Sequence, residues 1–444
     1  MRCNLDRYSN SVENKAACFL DLVYEEASGL ENSPEDDPLL TKFDVVVGGG
    51  GAAGLALAIL LAEKSGGALR IALVDPRLES RKHGPRTSAI ALGPKQMLAG
   101  IGAWPLESAF AAPVRRIEVS DAQESLEAIV PDLIFQCAED DEPLAWIVRQ
   151  SDFEAQLRKI ALSRDISFIE GEIVGYKPNG GFARLELRDG AEVGARLVVA
   201  ADGAQSRLRE LAKVQCVEWS YDRSAIVATL VHEEPHADTA IQIFYPAGPF
   251  ATLPLTGNRS SLVWTEARDR AERLRRCDIK DLTAEIQRYS ADRLGSLRLE
   301  GDIASFALGY SHVRSFHAER LVFIGDAARR VHPLAGQGLN LGLRDAATLS
   351  EIIIESACLG LDFGSSGPLA EYGRRRNLDS VISSSAFDVL HRIFGWDASA
   401  LRMVRKTGLS FVQSSDHIKS LLMKEATGLS GIYPENFRPK HAIR

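Results

Sequence analysis

The sequence lacks closely spaced cysteines, a long apolar run and an excess of basic residues. No CxxC pair occurs among its six cysteines, which are Cys3, Cys18, Cys137, Cys216, Cys277 and Cys358. Neither a zinc knuckle nor a redox dithiol is therefore predicted, and scattered thiols are typical of a reducing cytoplasm. The longest apolar stretch, 51–62, is shorter than the roughly 20 residues that a membrane-spanning helix needs. A net charge of −8 argues against a nucleic-acid binder.

The first 40 residues also lack the features of a signal peptide, because Asp21 interrupts their short apolar run at 16–20. They carry nine acidic and three basic residues, and they include an acidic linker with two prolines at 33–38. We therefore predict a disordered acidic extension over 1–40. Residues 371–444 have the opposite bias, with twelve basic and seven acidic residues.

The chain has 444 residues, of which 45% are apolar and 25% charged, which excludes a disordered or fibrous protein. A strand at 43–47, a buried helix at 55–62 and a strand at 70–74 form a β-α-β unit. Further buried strands are predicted at 196–200 and 321–324, and antiparallel strands at 114–120, 225–232, 239–245, 250–255 and 261–265. The predicted fold class is α/β, with a dinucleotide-type domain built from separated segments and an inserted antiparallel sheet.

A glycine-rich loop lies directly between the first strand and the helix. Gly49, Gly51 and Gly54 match the pattern G-x-G-x-x-G. Glycine at these positions permits a tight turn, a close approach of backbone N–H groups to a pyrophosphate, and close packing of the helix on the strand. Asp75, at the end of the second strand, is placed to accept a hydrogen bond from a ribose hydroxyl. The loop predicts an adenine dinucleotide but does not choose between NAD and FAD.

Two later strands end in turns that contain aspartate and glycine. The first turn begins at Asp202 and follows the pattern D-G-x-x-S-x-x-R, and the second contains Asp326. Asp326 could hold a ribityl hydroxyl through a charge-assisted hydrogen bond. The helix predicted at 339–354 would point its N-terminus, and thus a partial positive charge, at the same ligand.

These motifs together resemble those of the single-component FAD-dependent aromatic hydroxylases, and among them the ubiquinone-biosynthesis hydroxylases. The resemblance covers about 43–430. The segments that carry it are the glycine-rich loop, RTSAIAL at 86–92, the turn at 202–209, FYPAGPFATLPL at 244–255, and the segment 325–349 with HPLAGQGLNLGLRDAA at 332–347.

The resemblance implies a domain organisation in several segments. An FAD-binding Rossmann-like domain of the glutathione-reductase type would comprise 41–113, 145–222 and 313–370. The substrate domain would comprise 114–144 and 223–312, and a C-terminal helical region would follow at 371–444.

The resemblance also implies the roles of particular residues. Gly49, Gly51, Gly54 and Asp75 would hold the ADP half of FAD, and other cofactor contacts fall on Arg86, Gln150, Asp202 and Asp326. The isoalloxazine ring would lie along Gly336, Gln337, Gly338, Leu339 and Asn340. Pro333 would lie beside the reacting edge of the flavin, and His332 would assist with protons. Arg329 stands where the family commonly has histidine, which adds a charge beside the ribityl turn.

The implied activity is hydroxylation of the aromatic ring of a polyprenylated phenol. NADPH or NADH would be the transient reductant, and O2 would supply the oxygen through a C4a-hydroperoxyflavin. The cofactor carries this chemistry, in keeping with a sequence that has no recognisable Ser/His/Asp or metal-ligand pattern. The sequence offers four candidates for the substrate pocket: Phe244, Phe250, Leu253 and Trp264. Packing in the core explains each of them equally well. The alternatives are a flavin hydroxylase of another aromatic substrate and a non-catalytic FAD-binding component of a quinone-biosynthesis assembly.

The basic C-terminal region predicts where the protein is located. Apolar and basic side chains are interspersed over 387–424, which is typical of basic amphipathic helices. Such helices suit an anionic membrane surface, where a polyprenylated phenol resides. A helical cap packed on the FAD-binding domain explains the pattern equally well. We therefore expect a cytoplasmic protein that meets the inner membrane peripherally, together with other quinone-biosynthesis proteins.

Overall fold

The structure is a computed structural model that describes residues 41–77, 84–104, 111–122, 130–331 and 337–377, with 413–415, 417, 423 and 434–437. The predicted acidic extension and most of the basic C-terminal region lie outside these residues. No described helix is long and apolar enough to cross a membrane.

The helices and strands follow one another in an order that alternates between two parts of the molecule. The strands are β1 (Thr41–Gly48), β2 (Ile71–Asp75), β3 (Thr87–Ala91), β4 (Ala111–Val114), β5 (Arg116–Asp121), β6 (Leu133–Gln136), β7 (Ala145–Arg149), β8 (Ile166–Glu170), β9 (Ile173–Asn179), β10 (Phe182–Leu187), β11 (Glu192–Ala200), β12 (Cys216–His232), β13 (Thr239–Tyr245), β14 (Gly248–Leu255), β15 (Arg259–Ala267), β16 (Leu297–Val313), β17 (His317–Ala318), β18 (Leu321–Phe323) and β19 (Arg329–Arg330). The helices are α1 (Ala52–Ser65), α2 (Leu92–Gly100), α3 (Gln150–Leu162), α4 (Arg207–Leu211), α5 (Arg268–Arg276), α6 (Ile279–Tyr289), α7 (Gln337–Cys358) and α8, over 366–377.

A parallel sheet forms the centre of the first part. Its strand order is β17-β18-β11-β1-β2-β8, and β1 pairs in parallel with both β11 and β2. At one edge β17 pairs antiparallel with β18, and the antiparallel strands β9 and β10 extend the sheet from β11. Residues 45–47 of β1 and 71–74 of β2 are apolar and buried because a parallel sheet is covered on both faces.

Helix α1 packs against this sheet and against α7. Its residues 55–61 are almost completely buried, so the helix is apolar around its whole circumference. It ends at Gly66, whose left-handed φ of 60° terminates the helix where other residues would be strained. The predicted β-α-β unit is confirmed.

The second part is an eight-stranded sheet of order β19-β16-β12-β15-β14-β13-β5-β6. All neighbours pair antiparallel except β13 and β5. The outer face is covered by α5 and α6, whose Ala271, Leu274, Leu282 and Ile286 join its core. The predicted α/β class with an inserted, largely antiparallel sheet is confirmed.

One predicted strand is corrected by the structure. The run 114–120 reads as a single strand, but the chain leaves one sheet and enters another at Arg115. β4 belongs to a small sheet of order β3-β7-β4, whereas β5 pairs with β13 in the large sheet. Arg115 and Arg116 interrupt the alternation of apolar and polar residues at this junction, so the sequence did contain a signal for the change of sheet.

The small sheet joins the two parts. Val114 and Ile147 from this sheet pack against Ala240 and Leu255 of the large sheet in a separate apolar cluster. We call this contact the seam. A hydrogen bond of 2.7 Å between Thr87 Oγ1 and Ser261 Oγ also links the two sheets.

Candidate functional site

Four of the residues predicted to contact the cofactor lie at one edge of the parallel sheet. Gly49 follows β1, Asp75 ends β2, Asp202 follows β11, and Asp326 follows β18. These four strands are neighbours and run in the same direction. Their carboxyl ends therefore meet, and ligands of open α/β sheets bind at such an edge.

The glycines of the loop are required by the geometry. Gly49 has φ of +118°, and a Cβ there would stand 2.3 Å from the carbonyl oxygen of Ala201. A Cβ on Gly54 would stand 2.1 Å from the carbonyl oxygen of Gly49. Gly51 precedes α1, which has no side-chain cap and no acidic residue in its first turn. The N-terminal N–H groups of α1 therefore suit a phosphate.

Asp75 is buried beside this loop and is oriented by backbone donors. Its Oδ2 accepts a hydrogen bond from Gly50 N at 2.6 Å, and its Oδ1 accepts one from Arg77 N at 2.8 Å. A carboxylate oxygen can accept more than one hydrogen bond, which suits the predicted contact with a ribose hydroxyl.

Asp202 is half-buried at the start of the first aspartate turn. Its Oδ2 accepts a hydrogen bond from Leu208 N at 3.1 Å. Its Oδ1 is buried and forms no hydrogen bond within the described residues. Burial raises the pKa of Asp202, and hydrogen bonds including that from Leu208 N oppose the rise. A ligand that donates a hydrogen bond to Oδ1 would relieve this unfavourable burial.

Arg209 connects the two aspartate turns, a role that was not predicted. Its Nη1 donates to Ala327 O at 2.9 Å, and its Nη2 donates to Ala204 O at 2.7 Å. The side chain is 9% exposed, so both hydrogen bonds are shielded from water. The arginine of the D-G-x-x-S-x-x-R pattern was the signal for this contact, although the pattern alone does not name its partner.

Asp326 lies in a single 3-10 turn at Gly325–Ala327. Burial raises its pKa, and the guanidinium groups of Arg86, Arg330 and Arg329 oppose the rise. The structure thus brings Arg86 and Asp326 together, as expected if both contact one cofactor. Gly338, at the start of α7, lies so close that a Cβ there would be 3.9 Å from Asp326 Oδ1.

Gln150 and Asn340 differ in the use of their side chains. Gln150 Nε2 donates to Glu154 at 3.0 Å, while its Oε1 is buried without a hydrogen-bond partner in the described chain. Asn340 Oδ1 accepts from Ala91 N at 3.0 Å, and its Nδ2 donates to Ala89 O at 2.9 Å. The Asn340 side chain therefore fastens β3 to α7.

The remaining residues predicted around the flavin ring are described only in part. Leu339 packs against the core of the FAD-binding part. His332, Pro333 and Gly336 lie outside the described residues, as does the side chain of Gln337. No group of metal-ligating side chains occurs within the described residues.

The predicted substrate residues divide between the two faces of the large sheet. Phe250 and Trp264 are opposite each other on β14 and β15, in the core that α5 and α6 cover. They therefore point away from the FAD-binding part, and their prediction as pocket residues is corrected. Leu253 belongs to the apolar cluster of the seam, and Phe244 alternates with Ile243 of the outer core, so it faces the same way as Leu253.

A cavity of about 350 Å³ opens at the seam. Its lining combines an apolar floor with charged and polar side chains: Ala112, Ile147, Leu255, Arg149, Asp152, Arg259, Glu300 and Thr256. Arg259 and Glu300 neutralise each other, with Nε 2.8 Å from Oε2. Gln150 directly follows Arg149, so the cavity adjoins the predicted cofactor contacts.

The edge of the parallel sheet fits FAD. The N-terminus of α1 has no side-chain cap and adjoins the glycine-rich loop. Asp202 and Gln150 each present a buried oxygen that forms no hydrogen bond within the described residues. A family model described as FAD binding domain matches residues 42–376. The fold is similar to that of p-nitrophenol 4-monooxygenase PnpA from Pseudomonas putida, with a TM-score of 0.74, 18% identity and coverage of 88% of this chain and 99% of that chain. The protein is thus an FAD-binding protein with the fold of the flavin monooxygenases.

Two curated relatives define the family more narrowly. The chain is 36% identical to ubiquinone hydroxylase UbiL of Rhodospirillum rubrum over 88% of this chain and 91% of the relative. It is 30% identical to 3-demethoxyubiquinol 3-hydroxylase of Escherichia coli over 87% of this chain and 98% of the relative. The chain belongs to the ubiquinone-biosynthesis FAD hydroxylases, and it is an FAD-dependent aromatic monooxygenase that uses NAD(P)H. The resemblance inferred from the motifs is confirmed.

Proposed function

We propose that the protein hydroxylates the aromatic ring of a polyprenylated phenol in ubiquinone biosynthesis. The observation that carries this proposal is similarity over nearly the whole length of two relatives that are named for ubiquinone intermediates. The structure also supports the proposal, because the apolar seam lies next to the elements that are predicted to bind the cofactor. NADPH or NADH would reduce the cofactor, and O2 would supply the oxygen atom.

The position of the seam suits a ring that must reach the flavin. Asn340 fastens β3 to the start of α7, and Thr87 on β3 is bonded to Ser261 of the large sheet. A substrate between β3 and the large sheet would therefore lie next to the elements that hold the cofactor. Leu253 and Leu255 form the wall of the large sheet at this point.

The cavity at the seam has the size of a ligand site. A volume of about 350 Å³ lies within the range of roughly 300–1,000 Å³ that small-molecule pockets occupy. Its apolar floor would contact the ring and the first prenyl units, while Arg149 and the Arg259–Glu300 pair lie among its polar lining. The apolar wall would also keep water away from the reacting centre.

In this proposal reduced FAD would activate O2, so that one oxygen atom is transferred to the ring and the other leaves as water. The residues of the chain bind the cofactor, orient the ring and exclude water. The glycine loop and α1 would hold the pyrophosphate, Asp75 a ribose hydroxyl, and Asp326 the ribityl chain. By the resemblance, Pro333 would lie beside the flavin and His332 would assist with protons.

We also propose that the basic C-terminal region brings the protein to the anionic membrane surface that contains its substrate. The support is the composition of 387–424 and the excess of basic residues over 371–444. Flotation of the full-length protein with vesicles that contain anionic lipid tests this, and equal binding to neutral vesicles would contradict it.

Profiling of quinone intermediates in a strain that lacks this protein tests the proposed reaction. We expect a prenylated phenol that lacks one hydroxyl group to accumulate, whereas an unchanged quinone pool would refute the assignment. Complementation then tests the site. Leu253→Trp is expected to restore quinone synthesis poorly although the purified variant retains FAD, because indole would fill the seam. The matched control Phe250→Leu alters the opposite face and should complement.

A further inference from the structure

Arg329, the residue that departs from the family pattern, has a defined partner in the structure. Its Nη1 and Nη2 donate to Asp345 Oδ2 and Oδ1 at 3.1 and 2.9 Å. Arg376, from α8, donates from Nε to Asp345 Oδ1 at 2.6 Å. The three side chains are at most 1% exposed, and we call them the buried triad.

The buried triad is attached directly to the turn that contains Asp326. Gly325 N donates to Asp345 Oδ2 at 2.8 Å, so the same carboxylate holds the first residue of the turn. Arg329 follows the turn by two residues, on β19. One carboxylate thus fixes the turn, β19 and α8 relative to α7.

The buried triad holds its charges in the interior of the protein. Burial opposes the ionised form of Asp345, but the two guanidinium groups outweigh it and hold the pKa of Asp345 below its usual value. The triad therefore carries two positive charges and one negative charge in a buried position. For the neighbouring Asp326, burial raises the pKa, the guanidinium of Arg329 opposes the rise and the Asp345 carboxylate adds to it, so the triad acts on the turn through its hydrogen bonds.

We propose that Arg329, Asp345 and Arg376 are positioning residues that set the affinity for FAD by fixing the turn Gly325–Ala327. The proposal rests on the proposed contact between Asp326 and the ribityl chain. Two hydrogen bonds to a charged group are lost when Arg329 is removed, so we expect the affinity for FAD to fall by about tenfold or more.

The test compares the FAD dissociation constant and the melting temperature of the apoprotein in matched variants. Arg329→Met leaves Asp345 paired with Arg376, so no isolated charge remains in the interior. Arg320→Met is the control, because Arg320 also pairs with an aspartate, the partly exposed Asp362, with Nη1 to Oδ1 at 2.8 Å, at the opposite end of β18. We expect both variants to lower the melting temperature and Arg329→Met alone to weaken FAD binding. Equal FAD affinity of the two variants would overturn the proposal.

Two further variants separate the possible failures. Arg329→Lys retains the charge but lacks the planar pair of donor nitrogens, so it should bind FAD with an affinity between those of the wild type and Arg329→Met. Wild-type affinity in Arg329→Lys would contradict a role for the paired geometry. The Arg329→Lys variant also allows the proposal to be tested if Arg329→Met does not fold. Asp326→Ala should weaken FAD binding as well. If it does not, the proposed ribityl contact fails; if it does while Arg329→Met has no effect, only the positioning proposal fails.

Discussion

Replacing Gly54 by alanine is expected to prevent tight binding of FAD. A Cβ at this position would stand 2.1 Å from Gly49 O, whereas real Cβ atoms stay beyond 3.0 Å from such an atom. Ala201 Cβ and Val47 Cγ1, both at 3.2 Å, block an escape to the side. The loop and α1 must therefore separate by about 1 Å, because the closest atom belongs to the backbone and cannot rotate away.

The magnitude follows from the cost of overpacking. Extra methyl groups in well-packed sites cost about 1–3 kcal/mol, and a backbone contact falls at the upper end of this range. Because the separated elements are those that bind the pyrophosphate, the cost should appear largely in cofactor affinity. About 3 kcal/mol corresponds to a dissociation constant for FAD that is roughly a hundredfold higher.

The assay is titration of the apoprotein with FAD, followed by flavin fluorescence, alongside thermal unfolding. Gly100→Ala is the matched control, since Gly100 is exposed in α2 and its Cβ would meet nothing within 4 Å. It should bind FAD as the wild type does. Wild-type affinity in Gly54→Ala would refute the reasoning, because the loop would then accommodate a side chain that the geometry excludes.

Two other predictions concern the turns at the sheet edge. Arg209→Met removes both hydrogen bonds between these turns and should lower FAD affinity at least tenfold; unchanged affinity in the same titration would contradict the bridging role. The pKa of Asp345 is lowered in the folded protein, since its arginine partners outweigh burial. Its ionised form therefore stabilises the fold above a pH of about 4, and this contribution is lost as the pH falls through the lowered value. In urea unfolding of the apoprotein at several pH values, the free energy of unfolding should fall less steeply below pH 4 in Arg329→Met than in the wild type. Identical slopes would contradict this.

Local patterns of the sequence are sufficient to locate the cofactor edge. A run of valine that ends in glycines, a helix of small and apolar residues, and an acid at the next strand end are each specified within about 35 residues of chain. The later aspartate turns also follow buried strands directly. Because the carboxyl ends of parallel strands lie at one edge, the sequence predicts that Asp75, Asp202 and Asp326 share that edge, while the structure shows that their strands are neighbours.

The sequence by itself thus determined the α/β class, the FAD-binding loop and the family. Only the tertiary structure decided which face of each strand meets the cofactor. The alternation of side chains along β14 places Phe250 and Leu253 on opposite faces of the sheet. It does not tell which of the two faces α5 and α6 cover, and only the structure shows this. The partner of Arg329 also depends on long-range packing, because α7 and α8 supply Asp345 and Arg376 from distant parts of the chain. A buried charge is tolerated only where oppositely charged side chains contact it, and only folding brings those side chains together.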